Sequence, residues 1–450
     1  MLTYELKKAP GVPLYEDLYR RIRADILSGH LAPGEKLPSK RALAENLEVS
    51  KITVEAAYEQ LLSEGYISSR EKVGYFVEAV AQQPAAVRVT EPPEEAVPEK
   101  CLDLMANEPA DFPFSVWNRL QRAVMLDYGR TLLSPMHPQG CRELRRAIAG
   151  HLADFRGMTV EPENIIVGAG TDFLYNLLIQ LLGRDKVYAV EDPGYGKIRK
   201  IYAAGGVRCV GAPMDSQGVQ PGDLGRAGVL HISPSHHFPT GTVTDLPRRQ
   251  ELLAWAEKNG GYIIEDDYDS EFRFRARPVS AMQTLDRHGR VIYMNSFSKS
   301  LAPSIRISYM ILPSGLMEVY RRELGFYGCT VPAFEQYTLA RFLGEGHFEK
   351  HINRMRRFYR IRRDRVAAAL ADCAYAGRLT VLEQDAGLHF LVQVDTELTD
   401  KELAARFARA GIRVRALSAY YEKPFDSHCL VINYSGLDEK ELYRLQNVEL

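Results

Sequence analysis

The sequence predicts an α/β protein in two parts. The first is a small segment of three helices closed by a β-hairpin. The second is a larger domain on a mostly parallel sheet with helices on both faces, finished by a small C-terminal α+β subdomain. Three observations carry this expectation. At 450 residues the chain exceeds one ordinary domain. Residues 81–100 read AQQPAAVRVTEPPEEAVPEK, with four prolines and almost no large apolar side chain, which is extended, solvated linker chemistry. Beyond that stretch, short apolar runs alternate with helical periodicity, the pattern of strands covered by helices. The boundaries read as 11–79 for the first domain, 80–100 for the linker and 101–450 for the second, whose small subdomain starts at about residue 331.

In the first domain, Leu14, Leu18, Ile22 and Ile26 recur at helical spacing. The run LAPGEKLPS is a turn-rich break. Ser39 can N-cap the helix KRALAENL, and Ser50 can cap another from Lys51 to about Glu64, ended by Gly65. YISSREKVGYFVE then gives two short strand-like pieces around a charged turn. Helix, helix, helix, hairpin is the order of a winged helix-turn-helix.

In the second domain the strand candidates are Ile165–Val167, Val187–Val190, Val229–Ile232, Tyr262–Ile264 and Val291–Tyr293. Helical stretches such as Phe173–Leu182 and Arg248–Lys258 separate them. From about Val331 a helix-rich region leads into strand–helix–strand material that includes HFLVQVD and CLVINY.

A hydrophobic fraction of 46% and a charged fraction of 26% suit a soluble globular chain. No apolar run approaches bilayer length, and Met1–Pro10 lacks a secretory core, so no membrane partner and a cytoplasmic location are expected. Cys101, Cys141, Cys209, Cys329, Cys373 and Cys429 are scattered without metal spacing, which predicts free thiols and no metal site. A net charge of −1 gives no bulk electrostatic signal for nucleic acid, so any DNA-binding reading must rest on pattern.

That pattern is present. L-P-S-x-R-x-L-A followed by V-S-x-x-T-V-x-x-A-Y-x-x-L-x-x-E-G-Y resembles the GntR-type winged helix across its whole length. The resemblance implies that Ser39, Arg41, Ser50, Lys51 and Thr53 face double-stranded DNA and that the wing tip, Lys72 to Gly74, approaches the minor groove. Glu55 is a departure, because some relatives carry a basic residue there. Leu43, Leu47, Val54, Ala57, Tyr58 and Leu61 read as core.

Residues 101 to about 445 resemble fold-type-I aminotransferases, most closely the effector domain of MocR/GabR regulators. The matching blocks, in family order, are PMHPQGCRELRRAIAGHL, IIVGAGTDFLYNLL, VEDPGYGKIRKI, ISPSHHFPTGTV, IIEDDYDSEFRF and YMNSFSKSLAPSIRISYM. The resemblance implies pyridoxal 5'-phosphate as cofactor. Lys299 would form the Schiff base, with Ser296, Ser298 and Arg306 on the phosphate. Asp266 would hold the pyridine nitrogen, with Asp267 as the alternative, and Tyr268 the ring O3'. Gly170 and Thr171, after Ala169, would cradle the phosphate at a helix N-terminus, and Tyr195 would stack on the ring.

Two departures bear on the effector. The carboxylate-binding string R-x-N-x-A appears here as Val431-Ile432-Asn433-Tyr434-Ser435, with Arg413 or Arg415 able to move into the missing arginine's role. The asparagine of N-P-T-G is Phe238, which leaves His236 or His237 to replace its hydrogen bond. Lys197 and Arg199 follow the stacking tyrosine as candidate effector contacts. Without a bidentate carboxylate clamp, efficient transamination is not expected, and no catalytic residue is assigned. The reading is a homodimeric, PLP-dependent transcription regulator on an operator with repeated half-sites. Its effector would be PLP itself or the aldimine of PLP with an amine or amino acid, placing it in vitamin B6 or amino-acid metabolism. The alternatives are an aminotransferase with a vestigial DNA-binding domain, and a DNA-binding protein whose large domain only dimerises.

Overall fold

The computed structural model describes residues 2–4, 6, 13–80, 101–106, 111–273, 280–382, 387–423 and 425–450. They divide into two units, 1–98 and 99–450. Apart from Val80, the expected linker lies outside the described residues.

The first unit holds helices at Leu14–Ser28, Lys40–Asn46 and Lys51–Ser63. Leu18, Ile22 and Ile26 bury one stripe of the first helix, and Gly29, at φ +82°, ends it in the left-handed conformation. The Ser39 hydroxyl accepts the Ala42 N–H at 3.2 Å, and Ser50 accepts that of Thr53 at 3.1 Å, so both expected caps are made. Of the six core residues read from the sequence, Leu43, Val54, Ala57, Tyr58 and Leu61 are buried and Leu47 is half-buried. Strands β2 (Ile67–Arg70) and β3 (Gly74–Val77) form the hairpin. The run read as a turn-rich break also contains β1 (Lys36–Leu37), antiparallel to β3, giving the sheet order β1-β3-β2. Two residues are too short to show a period; only pairing with β3 makes them a strand.

Tyr58 ties this unit together. It is fully buried, meets Tyr75 edge-on with ring centroids 5.0 Å apart, and donates to the Pro38 carbonyl at 3.0 Å.

The second unit opens with β4 (Leu102–Asp103). Its main sheet comprises β5 (Ile165–Gly168), β6 (Val187–Asp192), β7 (Arg208–Asp215), β8 (Gly218–Val219), β9 (Ala227–Ile232), β10 (Tyr262–Asp266), β11 (Val291–Ser296) and β12 (Ser308–Ile311). The order is β5-β12-β11-β10-β9-β6-β7-β8. The run from β11 through β10, β9 and β6 to β7 is parallel, while β12 lies antiparallel to both its neighbours and β8 antiparallel to β7. All five strand candidates fall in this sheet. They were legible because helices cover both faces, so each reads as a continuous apolar run. The Thr171–Leu182 helix packs a core with Tyr188, Val190 and Ile264, and the Leu246–Asn259 helix another with Leu230 and Ile263. The strand β7 is mostly half-buried and carries Gly211 and Pro213, and β12 (SYMI) opens on a polar serine, so neither reads as a continuous apolar run.

The C-terminal part carries helices Ala333–Gly344 and His347–Ala371 and an antiparallel sheet of order β13-β14-β17-β16, from β13 (Leu379–Leu382), β14 (His389–Val394), β16 (Arg415–Ala416) and β17 (Cys429–Asn433). Between β14 and β17 runs the Asp400–Arg409 helix, opened by a Thr399/Glu402 capping box. The short β15 (Ile412–Arg413) pairs in parallel with β4, tying the start of the unit to this region. Among the described residues no helix is long and apolar enough to cross a membrane.

Tyr58→Ala is expected to destabilise the first unit by about 3–5 kcal/mol, and Tyr58→Phe, which loses only the bond to Pro38, by about 1 kcal/mol. Urea unfolding of both variants, followed by far-UV circular dichroism, measures the difference.

Candidate functional site

The carboxyl ends of the parallel strands are where open α/β sheets collect ligands, and most of the second unit's candidate residues meet there. The β5–β12–β11 ladder aligns Gly168, Ser308 and Ser296 in one row. The Ser308 hydroxyl donates to Ser296 at 2.8 Å, and Ser296 donates to Ser298 at 3.0 Å. Beyond Gly168 the chain turns through Gly170, at φ +86°, into the helix that starts at Thr171. A Cβ on Gly170 would fall 2.2 Å from Arg306 Nη2, so the guanidinium rests directly on a backbone that only glycine leaves open. Amides at a helix start, serine hydroxyls and a guanidinium make an anion cradle. Asp172 lies on it, 3.4 Å from Arg306 Nη2 and 2.7 Å from Lys197 Nζ. Lys197, expected to face an effector, is therefore linked to the cradle.

At the end of β10 two adjacent carboxylates separate, because neighbouring strand positions point to opposite faces. Asp266 Oδ2 accepts the Tyr175 hydroxyl at 2.5 Å and lies 3.4 Å from His231 Nε2. Its Oδ1 is buried without a partner. Asp267 is paired with Arg156 at 2.9 Å, both side chains 1% exposed, and accepts the Tyr293 hydroxyl at 2.6 Å. Asp267 also keeps one oxygen unbonded, but its charge is already matched inside the core.

Around Asp266 the side chains are titratable and poorly solvated. Burial pushes the Lys299 ammonium down to about 8, against a smaller opposing pull from Asp269. Burial, and then the Asp269 and Asp266 charges, hold the Tyr268 phenol well above its ordinary range. Tyr268 Oη lies 3.4 Å from His236 Nδ1, which pairs with Asp269 at 2.8 Å. His237 bonds Thr240 through Nδ1 at 2.7 Å, and burial, followed by the neighbouring His236, pushes it down to about 3. Both histidines keep a buried Nε2 without a hydrogen bond, that of His237 lying 3.6 Å from Glu191. Asp269, Tyr175, His231 and Asp172 were not singled out beforehand. Asp269 could have been, from its place one residue after Tyr268; the others come together only through the sheet order.

Tyr195 is half-exposed and meets Phe238 edge-on at 6.1 Å. It lines a cavity of about 320 Å³ with Glu191, His231, Arg199 and Tyr420. Arg199 reaches Glu422 at 3.2 Å and Asp192 at 3.6 Å, so its charge is already engaged. Val431 is buried against Leu391, Cys429, Phe238, Leu417 and Tyr420, an apolar wall. Of the two substitute arginines, Arg413 pairs with Asp103 at 2.7 Å. Arg415 stands opposite Val431 in the β16–β17 ladder, with its guanidinium 5.7 Å from the centre of the Tyr420 ring.

In the first unit, Ser39 and Arg41 sit at the start of one helix and Ser50, Lys51 and Thr53 at the start of the next. Arg41 is exposed and paired with Glu45 at 3.0 Å, while the Ser50 and Thr53 hydroxyls bond each other at 2.8 Å. Lys72, at φ +62°, and Gly74 shape the hairpin turn, Gly74 lying against Lys36. Glu55 is bound by Lys40 at 2.7 Å, and the Lys40 ammonium lies 5.6 Å from the centre of the Tyr75 ring. The departure at Glu55 thus forms an ion pair between the two helices.

The family model for bacterial regulatory proteins of the gntR family matches residues 14–77, and that for aminotransferase class I and II matches residues 99–447. The "Probable rhizopine catabolism regulatory protein MocR" of Rhizobium meliloti is 32% identical, over 97% of this chain and 93% of its own length. The HTH-type pyridoxine biosynthesis transcriptional regulator PdxR of Corynebacterium glutamicum is 33% identical, over 94% of this chain and 92% of its own. An archaeal alanine:glyoxylate aminotransferase shares the fold with a TM-score of 0.69 at 23% identity, covering 77% of this chain and 90% of that enzyme. The chain belongs to the MocR-type transcription regulators, which join a gntR-family helix-turn-helix to an aminotransferase class I and II domain.

Proposed function

We propose that this regulator binds pyridoxal 5'-phosphate in its second unit and that the ligand, alone or joined to an amine, changes how a homodimer engages an operator with repeated half-sites. The observation that carries the reading is the fit of the site. An anion cradle at Gly170, Thr171, Ser296, Ser298 and Arg306 lies by the same strand ends as the unpartnered Asp266 Oδ1, which can accept from a protonated ring nitrogen. Lys299, with its lowered ammonium, supplies an amine able to attack an aldehyde. Tyr268 then serves the ring oxygen, and Tyr195 its face. The group itself supplies an aldehyde and an electron-withdrawing ring.

The domain assignments follow: residues 11–79 read DNA, 80–100 join, and 101–450 sense and dimerise, with the small subdomain beginning near residue 331, in a cytoplasmic protein. The apolar wall at Val431 favours a ligand without a clamped α-carboxylate, and pyridoxal phosphate itself fits that description. The printed name of the Corynebacterium relative, a pyridoxine biosynthesis regulator, supports the same reading. Arg415, opposite Val431 in its ladder, favours an amino-acid adduct instead. A ligand shifts the operator-binding equilibrium only by its differential affinity for the two arrangements.

After incubation with pyridoxal phosphate and removal of the unbound compound, the purified protein is expected to retain a lysine-linked visible absorption band that Lys299→Ala abolishes; a lysine-linked band that survives the substitution overturns the site. The amine is free only above its lowered value, so the rate at which the band forms should rise through pH 8 and level off there, not near the ordinary lysine value. Fluorescence anisotropy on DNA upstream of the protein's own gene should show a different affinity or salt slope with pyridoxal phosphate than without it. Equal binding in both states would point to a further amine effector.

A further inference from the structure

The Lys51–Ser63 helix turns Val54, Ala57, Tyr58 and Leu61 inward. At 100° per residue the opposite line begins with Ile52 and continues one turn later with Ala56. Ile52 is 76% exposed, although it sits in the first turn of the helix, between Lys51 and Thr53. A helix-turn-helix presents the N-terminal residues of its second helix to base edges in the major groove.

What surrounds Ile52 narrows its role. None of Lys51, Ile52, Thr53, Glu55 and Ala56 is an arginine, asparagine or glutamine, the side chains that read guanine or adenine bidentately. Glu55, which could accept from cytosine N4, is held by Lys40 at 2.7 Å. The Thr53 hydroxyl is engaged with Ser50 at 2.8 Å. Lys51 remains as a cation for phosphate or guanine. Beside Lys51, the apolar line is what these two turns offer for distinguishing one base pair from another, and the apolar mark in the major groove is the thymine 5-methyl group.

We propose that Ile52, with Ala56 behind it, reads thymine methyl groups, so that each half-site carries thymine beneath the start of this helix. The inference rests on the DNA-binding reading of the first unit. It assigns Ile52, absent from the positions singled out by the family motif, as a specificity-determining residue.

The test starts from duplexes enriched out of a random pool by the full-length protein supplied with pyridoxal phosphate. Each thymine of an enriched half-site is then replaced singly by uracil, which removes one methyl group and no hydrogen bond. The wild-type protein should lose about fourfold in affinity at one or two of these positions. Ile52→Ala, whose folding is checked by its thermal transition, should bind the thymine and uracil duplexes alike there. Wild-type indifference to uracil at every thymine, or an unchanged uracil penalty in Ile52→Ala, overturns the proposal while leaving DNA binding intact. Enrichment of no duplex at all overturns the DNA-binding reading and this inference with it.

Discussion

The second unit's site depends on one close approach: the guanidinium of Arg306 laid on the backbone of Gly170. Any side chain at 170 would collide with it, and Arg306 is itself held at φ +52° by the turn that leads into β12. This contact joins the end of the edge strand β5 to the start of its antiparallel neighbour β12. The sheet order then brings Ser296 of β11 alongside. A cradle for an anion is thus assembled from the end of β5 and from a segment, Ser296 to Ser308, more than a hundred residues further along the chain, and its position fixes where the rest of a ligand held there can reach.

Strand geometry and burial set the chemistry beyond the cradle. Because adjacent residues leave a strand on opposite sides, Asp266 and Asp267 divide their tasks: one is directed to Tyr175 and His231 with an oxygen to spare, the other is matched by Arg156. Burial of Lys299 costs its ammonium form more than Asp269 returns, which leaves a lysine that can lose its proton near neutrality. This chain places Val431 among apolar neighbours, and it uses Lys197 and Arg199 in ion pairs with Asp172, Asp192 and Glu422.

The first unit follows a different logic. Its second and third helices are capped by serines and linked by Lys40 and Glu55, an ion pair that ties one helix to the other. The lysine beside Glu55 offsets its negative charge. Net charge is nearly nil, so the chain as a whole offers no bulk electrostatic attraction for nucleic acid.

Much of this was legible in the sequence by itself. Serine caps, glycine stops, helical periodicity in Leu18, Ile22 and Ile26, and the continuous apolar runs of the central strands each depend on local or single-face rules, and those elements stand where the sequence places them. The family motifs identified the family for the same reason, being contiguous strings. Long-range pairing is what the sequence could not convey. It makes a strand of Lys36–Leu37, inserts β12 antiparallel between β11 and β5, and gives Asp172 two cationic partners from distant segments. Only the tertiary structure decided that Asp266 stands beside Tyr175 while Asp267 is matched by Arg156, and that Arg415 rather than Arg413 shares a ladder position with Val431, because burial and partner choice belong to the packed chain and not to any string of residues.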